Sequence, residues 1–278
     1  MTAPSASPGA GHRTARVEAA EWARLLAALA EGGDALLDAP TALTGWTVED
    51  LARHVHWGMT LEADGLRLLR GAGEPPGAEV AAGTPAEGPR AGLVAALAAA
   101  RDALVAALEV TRDAPEDAVV PMPYGPVPLG LARQVFTMEA AMHTYDLVAA
   151  ARDARGAVTG AGERAAMLGA GDHGHRGSVV LPACATVLAA FWPALAAAGT
   201  PPAPGTTLAL EGPTVRLGAR YDGASWTPHE GPADAVLRGD DAVLLLVAYG
   251  RVALEGSGVD VVGDAGLAAR LKAMVPGP

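Results

Sequence analysis

Glu139 and His143 stand four residues apart in the run Met138-Glu139-Ala140-Ala141-Met142-His143-Thr144-Tyr145-Asp146. On a helix that spacing puts both side chains on one face, about one turn apart. Carboxylate oxygen and imidazole nitrogen are both good ligands for zinc and similar divalent ions. The neighbours Val135, Phe136, Met138, Met142 and Leu147 are apolar, so the pair faces solvent, itself or a site. A surface salt bridge is the commoner use of such a pair, and the pair alone does not decide. A second source of imidazole is Leu51-Ala52-Arg53-His54-Val55-His56-Trp57. His54 follows Leu51 by three residues and Thr47 by seven, close to the apolar stripe. His56 lies about 200° further round the helix, so the two cannot serve one small site. Both also fit ordinary half-buried histidines, and His56, beside Trp57, is read that way.

Other groups carry less. Asp172-His173-Gly174-His175 has ligand chemistry but sits in a Gly-rich stretch that reads as a solvated loop, and His12 and His229 have no apparent partners. Ser178 and Ser225 lack a nucleophile elbow. The glycines around Gly250 and Gly256 lack the strand–turn–helix unit that cradles phosphate. Cys184 is the only cysteine, so no internal disulfide can form, and its apolar run, Leu181 through Leu188, reads as a buried small hydrophobe.

Four helices must position the histidines and the glutamate. Residues 17–29 carry Val17, Trp22, Leu25, Leu26 and Leu29 at helical spacing, and Gly32-Gly33 predicts a stop. Thr47 is a good N-cap with Asp50 as its capping-box partner, which predicts a second helix over 48–69. A Gly- and Pro-rich connection over 71–89 leads to a third helix over 91–110. Pro121, Pro123, Pro126 and Pro128 predict a rigid loop before a fourth helix over 129–151. One apolar stripe per helix predicts a four-helix bundle. After Gly-rich residues 156–177 comes a helix over 183–198. Alternating strands then follow near 207–211, 214–217, 225–227, 235–237 and 259–264, with helices over 241–249 and 265–274. The fold class is therefore α+β, with a disordered tail over 1–14, a helical bundle over 15–174 and a smaller α+β domain over 175–278.

The 278 residues are half hydrophobic with a net charge of -11, enough for two cores and without the basic footprint of a nucleic-acid binder. An acidic surface disfavours anionic membranes. No apolar stretch is read as an uninterrupted bilayer span of about 20 residues, and the N-terminus lacks the apolar region of a signal peptide. The expectation is a cytoplasmic protein, a monomer or homodimer, with no nucleic-acid or membrane partner.

Gly45-Trp46-Thr47-Val48-Glu49-Asp50-Leu51-Ala52-Arg53-His54, followed by Glu139-xxx-His143-xx-Asp146, resembles the DinB-like metal-binding bundle of the mycothiol-dependent maleylpyruvate isomerase family. Ala233-Asp234-Ala235-Val236-Leu237-Arg238-Gly239-Asp240, then Leu244-Leu245-Leu246, Tyr249-Gly250-Arg251 and Val262-Gly263-Asp264, is similar to that family's sterol-carrier-like C-terminal domain. Tyr145 and Tyr249 stand where tryptophan is commoner. The resemblance implies a divalent metal, expected to be Zn2+, on His54, Glu139 and His143, with Asp146 behind a ligand. It implies mycothiol as the low-molecular-weight thiol cosubstrate and an electrophilic or unsaturated small acid as substrate. It also implies that Arg251 reaches a cleft opposite the metal to clamp a carboxylate, although a cation after an apolar helix is favoured by the helix dipole alone. Thiolate addition followed by expulsion gives cis–trans isomerisation, and retention gives S-transfer. The rival expectation is a non-catalytic carrier of small ligands with a vestigial metal site, which metal analysis would separate.

Overall fold

The computed structural model describes residues 10–71, 88–122, 125–157, 160–169 and 177–276, and the chain divides into two compact units, residues 1–158 and 159–278. Most of the 71–89 connection and the Asp172–His175 group lie outside the described residues.

Helix α1 (Ala10–Leu37) begins within the stretch expected as a tail and runs past Gly32-Gly33. Gly33 adopts φ 60°, a left-handed conformation that glycine reaches without a Cβ penalty, so the chain bends there and helix resumes. Helix α2 (Val48–Leu68) starts on Thr47, whose side chain accepts from Asp50 N at 3.2 Å while Asp50 Oδ2 accepts from Thr47 N at 2.8 Å. This reciprocal cap is the one expected, and losing such a cap costs about 1 kcal/mol. Helices α3 (Leu93–Val110) and α4 (Leu129–Ala154) complete the bundle. α1 packs along α4 and α2 along α3, and α1–α3 and α2–α4 contacts close the core. Leu25, Leu51, Val55, Met59, Leu97, Leu104, Phe136 and Met142 fill it at 1% exposure or less. Thr144 Oγ1 ties α4 to α1 by donating to Glu21 O.

The proline-rich loop is instead an antiparallel pair, β1 (Val119–Met122) with β2 (Gly125–Pro128), in register Val120↔Val127. Two strands alone leave each an unpaired edge, where proline's missing N–H costs nothing. The pair leans on α2 at Gly65, where an added Cβ would lie 3.0 Å from Val120 Cγ1 and 3.1 Å from Pro121 O.

The second unit opens with α5 (Ala161–Gly169), in a stretch that sequence leaves structurally undefined, and α6 (Gly177–Ala197). At 21 residues α6 is long and apolar enough to cross a membrane by length and composition, which corrects the expectation that no stretch reaches that span. One face of it, with Val180, Cys184, Val187, Leu188 and Trp192, is buried within the unit. Strands β3 (Thr207–Glu211), β4 (Arg216–Tyr221), β5 (Trp226–Pro228), β6 (Ala235–Arg238) and β7 (Asp260–Gly263) form one sheet in the order β5-β4-β3-β6-β7. Only β3–β6 is parallel. Helix α7 (Asp241–Ala248) follows β6, and the closing helix is two short ones, α8 (Ala265–Ala269) and α9 (Leu271–Met274).

Two carboxylates hold the ends of β3. Asp234 Oδ2 accepts from Thr207 N and Oγ1 at 2.8 and 2.9 Å. Asp241, nearly buried, accepts from Thr214 Oγ1 at 2.6 Å and Val215 N at 2.9 Å in the turn after β3.

Candidate metal centre

The capped start of α2 sets the rotation of that helix, and α4 carries Glu139 and His143 one turn apart. One donor atom each from His54, Glu139 and His143 lie within 4.8 Å of one another. That is close to the span that one ion with bonds of about 2.0–2.2 Å bridges. Among the described residues no other three His, Cys, Asp or Glu side chains converge in this way. The His54 and His143 rings meet edge to face with centroids 5.0 Å apart, and Trp46 and Trp57 flank His54 at 5.2 and 5.5 Å.

His143 Nε2 lies 2.9 Å from Glu139 Oε2, and Nδ1 lies 3.3 Å from Asp146 Oδ2. Nε2 is thus the nitrogen turned to the cluster, while buried Asp146 steadies the ring from its other side, as carboxylates do for ligating histidines. Burial disfavours the charged ring, but hydrogen bonds and charge from Asp146 and Glu139 outweigh it and push His143 up to about 9. Two imidazoles and one carboxylate are a donor set of the kind that could hold a divalent ion.

Two buried carboxylates beside this cluster are not read from the sequence. Glu18 and Glu62 are 0% and 4% exposed, and neither Glu18 oxygen nor Glu62 Oε2 has a partner at normal hydrogen-bond geometry, although the Trp22 indole lies near enough to Glu18 to act on it. Burial pushes Glu18 up to about 8, offset only in part by Trp22 and the charge of Arg133. Burial, with the charges of Glu18 and Glu139, holds Glu62 well above the usual range. The available signal was position. Glu18 and Trp22 are i and i+4, so they share the buried face of α1.

A stability prediction follows from Glu18. The unfolded carboxyl titrates near 4.5 and the folded one near 8, so folding takes up a proton between those values and stability falls as pH rises through that window. Glu18→Gln removes the Glu18 share of that dependence and leaves the Glu62 share in place. Its melting temperature is expected to exceed the wild type's by on the order of a few degrees at pH 8, with the gap closing toward pH 4.5. Thermal melts at pH 5 and pH 8 check this, and an equal gap at both values refutes the ionisation account.

Among the described residues none of the remaining candidates is one of the converging donors. His56 is half-buried, its Nδ1 has no partner, and burial lowers its pKa. His229 Nε2 lies 3.1 Å from Pro232 O in an exposed turn. In the second unit Arg251 is buried just past α7, where Nη1 donates to Tyr249 O at 2.9 Å. Cys184 is fully buried, and its carbonyl accepts from Tyr249 OH at 2.9 Å.

A helical bundle that converges two histidines and a glutamate, followed in the same chain by a mixed five-stranded sheet with helices, defines a two-unit protein with a donor set that could hold a metal ion. Residues 16–148 match the family described as mycothiol maleylpyruvate isomerase N-terminal domain, and residues 178–270 match the MDMPI C-terminal domain. A crystal structure of the mycothiol-dependent maleylpyruvate isomerase is similar over 92% of this chain and 94% of that one, with 21% identity and a TM-score of 0.55. A histidine-to-alanine mutant of that enzyme gives the same coverage, 20% identity and a TM-score of 0.59. At such identity the likeness speaks for the fold. No curated protein matches significantly. The chain belongs to the mycothiol-dependent maleylpyruvate isomerase family.

Proposed function

We propose that this chain is a cytoplasmic, metal-dependent enzyme that uses mycothiol to act on a small unsaturated or electrophilic acid. The observation that carries the reading is the convergence of His54, Glu139 and His143 from two helices onto one point, in a chain of this family. A divalent ion held there, zinc by the donor chemistry, would supply the Lewis acidity that keeps a thiol sulfur as thiolate at neutral pH.

The chain's own residues prepare the site. Asp146 fixes the His143 ring, Glu139 contributes negative charge, and Trp46 and Trp57 flank His54 and restrict its rotation. In the reaction the thiolate forms a C–S bond to an activated double bond, and the electron pair moves onto the conjugated carbonyl. Rotation about the resulting single bond, return of the electron pair and breakage of the C–S bond give the trans isomer. Protonation of the adduct instead leaves a thioether. A turnover assay with maleylpyruvate and model electrophiles, across mycothiol, glutathione and cysteine, tests the reading. Turnover that is fastest with mycothiol supports it, and turnover indifferent to thiol overturns it.

Arg251 belongs to the same proposal as the group that binds the substrate carboxylate through its planar fork. Arg251→Ala is then expected to raise KM for an anionic substrate about tenfold or more with kcat little changed, because a carboxylate clamp binds ground and transition states alike. Steady-state kinetics decide this. A fall in kcat at unchanged KM would assign the residue another role.

A further inference from the structure

At the start of α2 an open cavity of about 260 Å³ is lined by Gly45, Trp46, Asp50 and Arg53. Asp50, Arg53 and His54 stand at i, i+3 and i+4, so the cavity lies on the helical face that carries His54, within about one turn of it. Trp46, one wall of the cavity, is also the ring that meets His54 edge to face. Gly45, with φ 80°, adds no side chain of its own to the cavity, and among the described residues nothing lies within 4 Å of where its Cβ would be.

The lining pairs a flat indole with one carboxylate and one guanidinium. Asp50 receives Thr47 N and Oγ1 on Oδ2, which leaves Oδ1 outside that cap. Arg53 Nε and Nη2 donate to Glu49 Oε1, and Nη2 also reaches Gly88 O, so the plane of the fork is held in place. Opposite charges side by side do not select a simple anion. They suit a neutral ring of hydroxyl groups, each both donor and acceptor, whose C–H face stacks on indole. The volume falls below the roughly 300–1,000 Å³ of sites for drug-sized ligands, so it takes one ring and not a whole cosubstrate.

We propose that this cavity binds one ring of the sugar–cyclitol portion of the thiol cosubstrate, with Trp46 stacking on the ring and Asp50 and Arg53 exchanging hydrogen bonds with its hydroxyls. The ligand's identity rests on the thiol-dependent reading above, and the cavity's polyol chemistry does not. Thiol selectivity would then be set on α2, one turn from the metal ligand, by residues that take no part in the chemistry.

The experiment is calorimetry on the full-length zinc-loaded chain with three probes: thiol-free glucosaminyl-inositol, mycothiol and N-acetylcysteine. Trp46→Leu and Arg53→Gln are expected to weaken glucosaminyl-inositol and mycothiol about tenfold each while N-acetylcysteine changes less than about twofold. If Arg53→Gln melts early through loss of its Glu49 pair, Arg53→Lys keeps that charge, loses the fork and carries the comparison. Wild-type protein that ignores glucosaminyl-inositol, or variants that weaken mycothiol and N-acetylcysteine equally, overturn the proposal. Glucosaminyl-inositol binding without any thiol binding would sink the thiol-dependent reading and leave the polyol site standing.

Discussion

Replacing His54 or His143 by alanine is expected to reduce bound metal from about one ion per chain to a small fraction of that and to cut turnover on the order of 10³-fold or more. On the proposed assignment each single loss would leave two protein ligands, too few to hold a zinc-type ion against dialysis. Glu139→Gln keeps the size of the side chain and removes the one anionic donor, so it should weaken metal binding and abolish turnover as well. In metal-free protein His143 holds its proton to about pH 9, and that proton must leave before Nε2 can ligate. Metal uptake should therefore release a proton and weaken as pH falls from 8 to 6. Elemental analysis after dialysis, normalised to the folded fraction by circular dichroism, decides the matter. Full occupancy in both histidine variants would remove the ligand assignment.

The second large effect concerns the nucleophile. Turnover is expected to require added thiol, and Cys184→Ser is expected to keep it within a few-fold. A divalent ion held by two imidazoles and a carboxylate would still accept a soft thiolate from outside the chain. The chain's only cysteine is 0% exposed on the buried face of α6. A reactive cysteine needs an accessible, electropositive setting to become thiolate, and serine differs from cysteine little in volume. Thiol-free turnover at the full rate would refute the idea, as would a Cys184→Ser protein that is folded and metal-loaded but inactive.

Helices α2, α3 and α4 are legible in the sequence to within about three residues at each end: α2 by its capping box, and α3 and α4 by apolar runs that start just after Gly92 and Pro128. Of the His54, Glu139 and His143 group, the i, i+4 spacing of Glu139 and His143 beside Val135, Phe136, Met138, Met142 and Leu147 shows only a pair, and the family resemblance adds His54. What fails is local grammar overridden by packing. Pro121, Pro126 and Pro128 argue against strands, yet a two-stranded pair has edges that tolerate them. Gly32-Gly33 signals a stop, yet a single left-handed residue bends α1 without ending it. Glu18 and Glu62 are hardest to foresee, since a glutamate on an amphipathic helix is nearly always solvated. Only the folded bundle shows that both lie inside, close enough for their charges to act on each other and for the charge of Glu139 to act on Glu62.

The two carboxylates that grip β3 bear on how the second unit is made during synthesis. Asp234 holds the first residue of the strand and Asp241 the turn after it, at sequence separations of 27 and 26–27. The parallel partner β6 lies among the six residues between Asp234 and Asp241. A one-residue slip of β3 would turn Leu208 and Leu210 outward and cost both grips at once. The strand that centres the sheet therefore has no fixed register until the chain through Asp241 has emerged. Before then the β3–β4 hairpin is a marginal two-stranded piece, and completion of the sheet waits on these non-local contacts, which slow folding. A nascent chain halted short of Asp241 should be protease-sensitive over 207–221, and one extended through α7 should be protected there.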